Sequence, residues 1–226
     1  MSSFGIFEDL KDIEYAKAWA YQEELLSQFI ALKKEGHLPK HRLLFCEHPN
    51  VYTLGKSGAR NNLLVDDQFL KSINASYYET NRGGDITYHG PGQLVGYPIL
   101  DLEQMGFQVK KYIDKLENAI INTLKYYDIK GQRLEGATGV WLDIDKAEKT
   151  RKICAMGVRV SRWVTMHGFA LNVNTDLQYF NYIHPCGFVD KGVTSLQKEL
   201  GKTINFESLK KIVRAEIEKE FNIQFE

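Results

Sequence analysis

The chain of 226 residues lacks an imbalance of charge, a long apolar run and a basic leader, and each absence excludes a class of protein. Lysine plus arginine and aspartate plus glutamate both total 29, so no overall field attracts nucleic acid or an anionic membrane. No apolar run reaches the roughly 20 residues that span a bilayer. The first residues do not resemble a secretory signal, and we therefore expect a cytoplasmic protein.

Cysteine is scarce, and the spacing of the cysteines matches no metal-binding motif. The three cysteines are Cys46, Cys154 and Cys186, and an odd number without Cys-x-x-Cys spacing predicts free thiols in place of disulfides or a zinc site. No His-Glu-x-x-His motif occurs, so we expect neither a metal nor another cofactor. Linkers rich in proline, serine and glycine are also missing, and residues 1–226 are predicted to form one domain.

The chain contains two kinds of hydrophobic segment, one with helical spacing and one of short strand-like runs. Apolar residues at three- and four-residue intervals predict helices over about 14–34, 108–127 and 206–221. Short apolar runs predict strands, and a charged segment over 143–151 is expected to form a hairpin. The predicted strands cover residues 43–45, 51–54, 76–79, 93–100, 140–143, 153–160 and 164–172. Without a regular βαβ period, this order indicates an α+β or mixed α/β fold with helices around an antiparallel-rich sheet.

One polar segment, residues 82–93, contains four glycines between two predicted strands. Glycine costs conformational entropy on folding, and its compensation is either a positive φ or close approach of backbone to a ligand. The segment does not match the dinucleotide-binding GxGxxG pattern. Gly55-Lys56-Ser57 has the end of a phosphate-binding loop but Asn50 where that loop needs glycine. We expect residues 82–93 to line a ligand pocket, the alternative being a pair of tight turns.

Cys186 is the cysteine most suited to nucleophilic chemistry. It lies between Pro185 and Gly187, which can present a thiol from a tight turn. A nucleophilic thiol needs its pKa lowered by a nearby cation or a helix N-terminus. Cys46 and Cys154 are expected to pack as small hydrophobic side chains, although Cys154 is the second candidate nucleophile because it lies beside Lys152.

Lys152 is the candidate cation, at the start of a predicted strand. Strict alternation would place Lys152, Cys154 and Met156 on one face of that strand and Ile153 and Ala155 on the other. A partly desolvated ammonium near a thiol stabilises the thiolate. Thirty-four residues separate Lys152 from Cys186, so spacing alone does not establish the pair.

Two histidines in glycine-containing segments are further candidates. His89 and His167 are each expected either to hydrogen-bond an acyl carbonyl, to transfer protons, or to satisfy loop backbone.

Together these blocks resemble a known family. The segment RGGDITYHGPGQ, followed by LVGYP, is similar to the signature of the lipoyl(octanoyl) transferases, the LipB family. Further matches to that family are residues 47–55, 151–159, 167–174 and 185–187, in family order. The resemblance extends from about residue 43 to residue 201.

The resemblance implies transfer of an octanoyl group from acyl carrier protein to a lysine of a lipoyl domain, the first step of endogenous protein lipoylation. The acceptors would be the lipoyl domains of 2-oxoacid dehydrogenases and the glycine-cleavage H protein. By this resemblance Cys186 forms an acyl thioester and Lys152 lowers its pKa. The implied fold is that of the catalytic domain of biotin and lipoate protein ligases, with the acyl chain in a central tunnel. The implied substrate-lining residues are Arg82, Gly83, Gly84, Asp85, Ile86, Thr87, Tyr88, His89, Ala155, Met156, Gly157, Gly168, Phe169 and Ala170.

Two other functions fit part of the pattern. An ATP-dependent lipoate or biotin ligase shares the fold and a similar glycine loop, but it makes an acyl adenylate and needs no cysteine nucleophile. A non-catalytic module that binds carrier protein would not need Cys186 and Lys152. For an acidic carrier protein, the candidate basic patch is Lys110, Lys111, Arg159 and Arg162, which by default are solvated surface residues.

Overall fold

The computed structural model describes residues 3–184 and 191–226. Five α-helices are described: α1 (Tyr15–Lys34), α2 (Asp67–Ser72), α3 (Val109–Lys125), α4 (Leu196–Leu200) and α5 (Phe206–Phe221). The described strands are β1 (Ser3–Asp12), β2 (His41–Glu47), β3 (Val51–Leu54), β4 (Ser76–Glu79), β5 (Thr87–His89), β6 (Gln93–Ile99), β7 (Gln132–Leu134), β8 (Ala137–Leu142), β9 (Arg151–Ser161), β10 (Val164–Asn172), β11 (Gly192–Val193) and β12 (Ile223–Phe225).

A large mixed sheet and a small sheet organise these elements. The large sheet has the order β12-β1-β2-β6-β10-β9-β8-β7, with β11 added beside β9, and the small sheet has the order β4-β3-β5. The long central strands β2, β6, β10, β9 and β8 pair in antiparallel fashion. Parallel pairing is confined to β1, β11 and the β3–β4 pair. The α+β expectation and its antiparallel-rich sheet are therefore confirmed.

The two faces of the large sheet are covered by different helices. Helices α3 and α5 pack together over one face, where Leu116, Ile120 and Val213 belong to the larger core cluster. Helix α1 covers the other face through Leu26 and Phe29. Burial of one helical stripe on each face is what the sequence periodicity indicates. Among the described residues, no helix has the length and apolar character that a membrane crossing needs.

Helix α1 begins at its first buried aromatic side chain and ends where glycine follows. Lys33 and Lys34 occupy its last turn, and Gly36 follows with a φ of 79°. Cations favour the negative end of the helix dipole, and glycine adopts a positive φ without steric cost. The predicted start at residue 14 and end at residue 34 are thus correct to within one residue.

Candidate active site

A cavity of about 510 Å³ opens between the two sheets. The small sheet contributes the loop from Arg82 to Thr87, and the large sheet contributes β6, β9 and β10. Tyr15 at the start of α1 closes one side, together with Val95 and Tyr97 of β6. A cavity with apolar walls and a few polar groups is the usual form of a small-molecule site.

The glycine loop reaches the cavity because it lies directly on β9. The backbone N–H of Gly83 donates to the carbonyl of Val158 over 2.9 Å. A Cβ on Gly157 would lie 2.8 Å from the carbonyl oxygen of Gly83, closer than real Cβ atoms come. Glycine at 157 is therefore required for this approach, and the interpretation of residues 82–93 as a pocket wall is supported.

Arg82 starts a chain of hydrogen bonds that runs along the wall of the cavity. Its Nη2 donates to the carbonyl oxygen of Thr53 at 2.6 Å and to the Thr53 hydroxyl at 2.9 Å. Gln93 donates through Nε2 to the carbonyl of Tyr88 and to Asn172 Oδ1, and Asn172 Nδ2 donates to the carbonyl of Thr194. Because backbone carbonyls only accept, these contacts fix the orientation of both side-chain amides.

The fixed amides also fix the tautomer of His89. Gln93 Oε1 lies 2.8 Å from His89 Nδ1, so Nδ1 carries the hydrogen. His89 Nε2 then accepts from the Thr53 hydroxyl at 3.3 Å. Every donor from Arg82 to Asn172 thus points the same way, and both ring nitrogens of His89 are used inside the protein. This arrangement favours the structural role of His89 over proton transfer.

Three histidines around the cavity are kept neutral. Burial, together with the charge of Arg82, lowers the pKa of His89 and of His167 to about 3. Burial lowers the pKa of His48 to about 4. His48 donates from Nδ1 to the carbonyl of Ile13 and accepts from the Tyr97 hydroxyl at 2.7 Å. Because these rings are neutral, the cationic side chains that line the cavity, among the described residues, are Arg82 and Lys152.

His167 is held by its surroundings in a strained backbone conformation. Its φ is 58°, and its N–H donates to the buried Gln22 Oε1 at 2.8 Å. Asn81 donates to Glu23, which turns its Oδ1 toward His167 Nε2 at 2.8 Å. His167 Nε2 therefore carries the ring hydrogen. His167 lines the cavity, as His89 does, and contact of either ring with an acyl group stays a prediction.

Lys152 lines the cavity because of a β-bulge that the sequence does not reveal. Val140 pairs with Cys154, but the next residue, Trp141, pairs with Lys152, so Ile153 is an extra residue on β9. Paired residues share a face and consecutive residues alternate, which places Lys152 and Cys154 on opposite faces. The expectation that Lys152 and Cys154 share a face is therefore wrong, and the bulge is the physical reason.

The described cysteines are poor nucleophiles. Cys46 and Cys154 are completely buried, and burial raises the pKa of both thiols. Cys154 packs in the core cluster under α3, as expected of a small hydrophobic residue. Cys186 lies outside the described residues, and its role stays a prediction. The chain is described again from Lys191, and Val193 pairs with Lys152 in parallel.

Most of the other predicted lining residues meet at the cavity, with one exception. Arg82 to Thr87, His89, Ala155, Met156, Gly157, Gly168, Phe169 and Ala170 all line it. Tyr88 does not, because it alternates with Thr87 and His89 on β5 and stacks on Tyr179 at 4.8 Å between ring centroids. Its expected contact with substrate is corrected to a structural role in the small sheet.

Several lining residues were not predicted from the sequence. Tyr15, Thr138, Asn172 and Phe180 come from four separate elements or turns. No local motif marks Tyr15, Thr138 or Phe180, whereas Asn172 lies within the matched segment 167–174 and could have been indicated by it. Tyr97 lies within the LVGYP segment, so the motif could have indicated it. Arg159 from the candidate basic patch forms an ion pair with Glu23 at 2.8 Å, so it is not a freely solvated charge.

Comparison with known proteins identifies the family. The model of the lipoyl protein ligase A/B catalytic domain matches residues 14–218. The chain belongs to this family. Relatives in the family include an octanoyltransferase of Bacteroides fragilis, 54% identical over 94% of this chain and 96% of that protein. Another is an octanoyltransferase of Christiangramia forsetii, 56% identical over 87% of this chain and 86% of that protein.

Solved structures extend the family likeness to the fold. A bipartite lipoate protein ligase of Thermoplasma acidophilum superposes with a TM-score of 0.75, covering 99% of this chain and 86% of that one, at 14% identity. Biotin protein ligase of Aquifex aeolicus superposes with a TM-score of 0.53, covering 96% and 71%, at 16% identity. The expected fold, shared with biotin and lipoate protein ligases, is confirmed.

Proposed function

We propose that this protein transfers an octanoyl group from acyl carrier protein to a lysine of lipoyl domains through a thioester on Cys186. The observation that carries the proposal is the cavity between the sheets, where the bulge in β9 places Lys152 among residues that the family resemblance assigns to the substrate. The names of relatives with more than half of their residues identical support the same reaction.

In the first half-reaction the Cys186 thiolate attacks the octanoyl carbonyl of the donor thioester. A new carbon–sulfur bond forms, the bond to the phosphopantetheine sulfur breaks, and that sulfur leaves as a thiolate that takes a proton. The ammonium of Lys152 would stabilise the attacking thiolate. The burial of Cys46 and Cys154 supports assigning this role to the remaining cysteine.

In the second half-reaction the amine of the acceptor lysine attacks the Cys186 thioester. An amide bond forms, the carbon–sulfur bond breaks, and Cys186 is released as a thiolate that Lys152 again stabilises. The proton lost by the attacking amine passes to a base in the cavity, a role proposed for Lys152 in its neutral form. Water must be excluded meanwhile, since the thioester would otherwise hydrolyse.

The walls of the cavity suit an acyl chain of this size. Val95, Phe169 and Ala170 present apolar surface, and seven buried carbon groups of an octanoyl tail would contribute roughly 5 kcal/mol of binding. The acceptors proposed are the lipoyl domains of 2-oxoacid dehydrogenases and the glycine-cleavage H protein. A lipoate or biotin ligase of the same fold would instead require ATP.

The decisive experiment maps the acyl adduct. The protein is incubated with octanoyl carrier protein without ATP, and peptides are analysed by mass spectrometry. We expect an adduct of one octanoyl group on Cys186 that is discharged by a lipoyl domain, and we expect no transfer by Cys186→Ala. Cys154→Ala is the matched control and should retain transfer. An adduct on Cys154, full transfer by Cys186→Ala, or a strict need for ATP would contradict the proposal.

A further inference from the structure

Behind Lys152, on the neighbouring strand β8, lies the indole ring of Trp141. Trp141 is one of the largest fully enclosed side chains, with 2% exposure. The two residues are direct cross-strand partners, and Lys152 Nζ lies 4.5 Å from the centre of the indole ring. An ammonium at this distance from the face of tryptophan is attracted by the ring quadrupole.

The contact depends on the same bulge that brings Lys152 to the cavity. If the pairing were regular, Trp141 would pair with Ile153, and Lys152 would pair with Leu142 on the opposite face. The indole N–H donates to the carbonyl of Ala137 at 2.8 Å, which fixes the plane of the ring. Ala137 and Lys152 line the cavity while Trp141 does not, so the ring supports the lysine from behind.

We infer that Trp141 is a positioning residue for Lys152 in the acyl transfer proposed above, on which this inference rests. A lysine side chain loses rotamer freedom when it is held in one conformation. An aromatic face attracts the ammonium without offering a carboxylate that would neutralise its charge. The charge thus stays directed toward the cavity, where the proposed thiolate needs it.

A pair of substitutions isolates the aromatic face from the indole hydrogen bond. Trp141→Phe and Trp141→Leu both lose the donor to Ala137, but only Phe retains a ring. We expect the single-turnover rate of acyl-enzyme formation to fall about three- to thirtyfold further in Trp141→Leu than in Trp141→Phe, with little change in KM. The pH profile of the rate should also shift in Trp141→Leu and shift less in Trp141→Phe. Equal rates and profiles in the two variants would contradict the inference.

Fluorinated tryptophans test the same point without disturbing the fold. Mono-, di- and trifluorotryptophan withdraw charge from the ring face in steps while keeping the N–H and almost the same volume. We expect the rate to fall at each step in the wild-type sequence. The other tryptophans, Trp19 and Trp163, are controlled by repeating the series in Trp141→Phe, where the rate should be constant. A flat series in the wild-type sequence would overturn the inference.

A measurement independent of activity separates this inference from the proposed function. The ε-methylene protons of Lys152, assigned by comparison with Lys152→Arg, should show an upfield ring-current shift in the NMR spectrum that disappears in Trp141→Leu. If the wild-type protein transferred no octanoyl group, the proposed function would fail while this contact could still be confirmed. Active protein in which the Lys152 signals lack the ring-current shift would overturn the positioning role alone.

Discussion

Hydrogen bonds between polar groups of the cavity wall all point in one direction, from the guanidinium of Arg82 to the amide of Asn172. From Thr53 to Asn172 the direction of each hydrogen bond is assigned, so no member can rotate without breaking one. Buried networks of this kind are stabilising only when every member is satisfied. The network therefore holds β5, β6 and β10 in a fixed arrangement around the cavity.

A change at Gln93 tests this arrangement at the scale of one residue. In Gln93→Glu, a carboxylate would face the carbonyl of Tyr88 and Asn172 Oδ1, which now accept hydrogen bonds from the amide. We expect the free energy of unfolding to fall by about 3 kcal/mol, because a buried charge is left unpaired. Urea denaturation measures the difference. Gln108→Glu, at an exposed position, should change it by less than about 0.5 kcal/mol.

At the scale of elements, the bulge in β9 lies opposite a glycine of β8. Gly139 has a φ of 121°, and an added Cβ would lie 2.5 Å from the carbonyl oxygen of Cys154. Its N–H donates to the buried carboxylate of Glu117 at 2.9 Å, and Arg133 pairs with the second oxygen of that carboxylate at 2.7 Å. The irregular pairing is thus supported from α3.

Replacing each of two glycines of the β7–β8 hairpin by alanine distinguishes a steric clash from backbone strain. We expect Gly139→Ala to lower the free energy of unfolding by about 3 kcal/mol, because both the φ and the space exclude a Cβ. Gly136 has a positive φ of 75°, but no atom lies within 4 Å of an added Cβ. Gly136→Ala should therefore lower the free energy of unfolding by about 1 kcal/mol. Thermal unfolding of the two variants provides the comparison, and equal losses would contradict the assigned contact.

Helix α1 illustrates what the sequence could predict among the elements, and β1 illustrates what it could not. The 3.6-residue stripe of α1 is local information, as is that of α3 and α5. In β1 only Gly5 is fully buried, so no alternation of apolar residues marks it as a strand. Its partners in the sheet are not local in sequence, because β2 follows only after α1 and β12 lies about 210 residues further along the chain. The bulge at Ile153 likewise depends on residues outside β9, namely Gly139 of β8 and Glu117 of α3, and no residue within β9 indicates it.

The family motifs predicted most of the cavity wall because the residues of a motif stay adjacent when the chain folds. Thr138 was missed because it lies outside the motifs and reaches the wall only through the register of β8. For the whole molecule, the sequence therefore predicts the fold class and the chemistry of the site, while the exact neighbours depend on strand pairing.

The stability of the whole molecule should depend on four buried histidines. Burial lowers the pKa of His41 and His48 to about 4 and of His89 and His167 to about 3, from 6.5 in the unfolded chain. A lowered pKa in the folded state means that the stabilising contribution is complete above pH 6.5 and decreases as the pH falls toward the folded value. Each histidine should lower the free energy of unfolding by about 1 kcal/mol when the pH falls from 7 to 5.5.

Urea denaturation across this pH range checks the dependence. His41→Asn removes one of the four groups while leaving an acceptor for the N–H of Asp101, so the pH slope of the unfolding free energy should fall by about a quarter. His37→Asn, at an exposed position, is the control and should retain the full slope. A wild-type free energy that does not change between pH 7 and pH 5.5 would be incompatible with four neutral buried rings.

The bulge at Ile153 also sets where the chain can change its length during evolution. A residue inserted between Lys152 and Cys154, with the bulge retained, would turn the lysine to the other face of the sheet while leaving the sequence motif almost intact. The turn between Leu142 and Arg151 precedes the bulge, so its length can drift without reversing the lysine. Homologous chains should therefore vary in length on the N-terminal side of Arg151 and keep a constant spacing from Lys152 to Gly157.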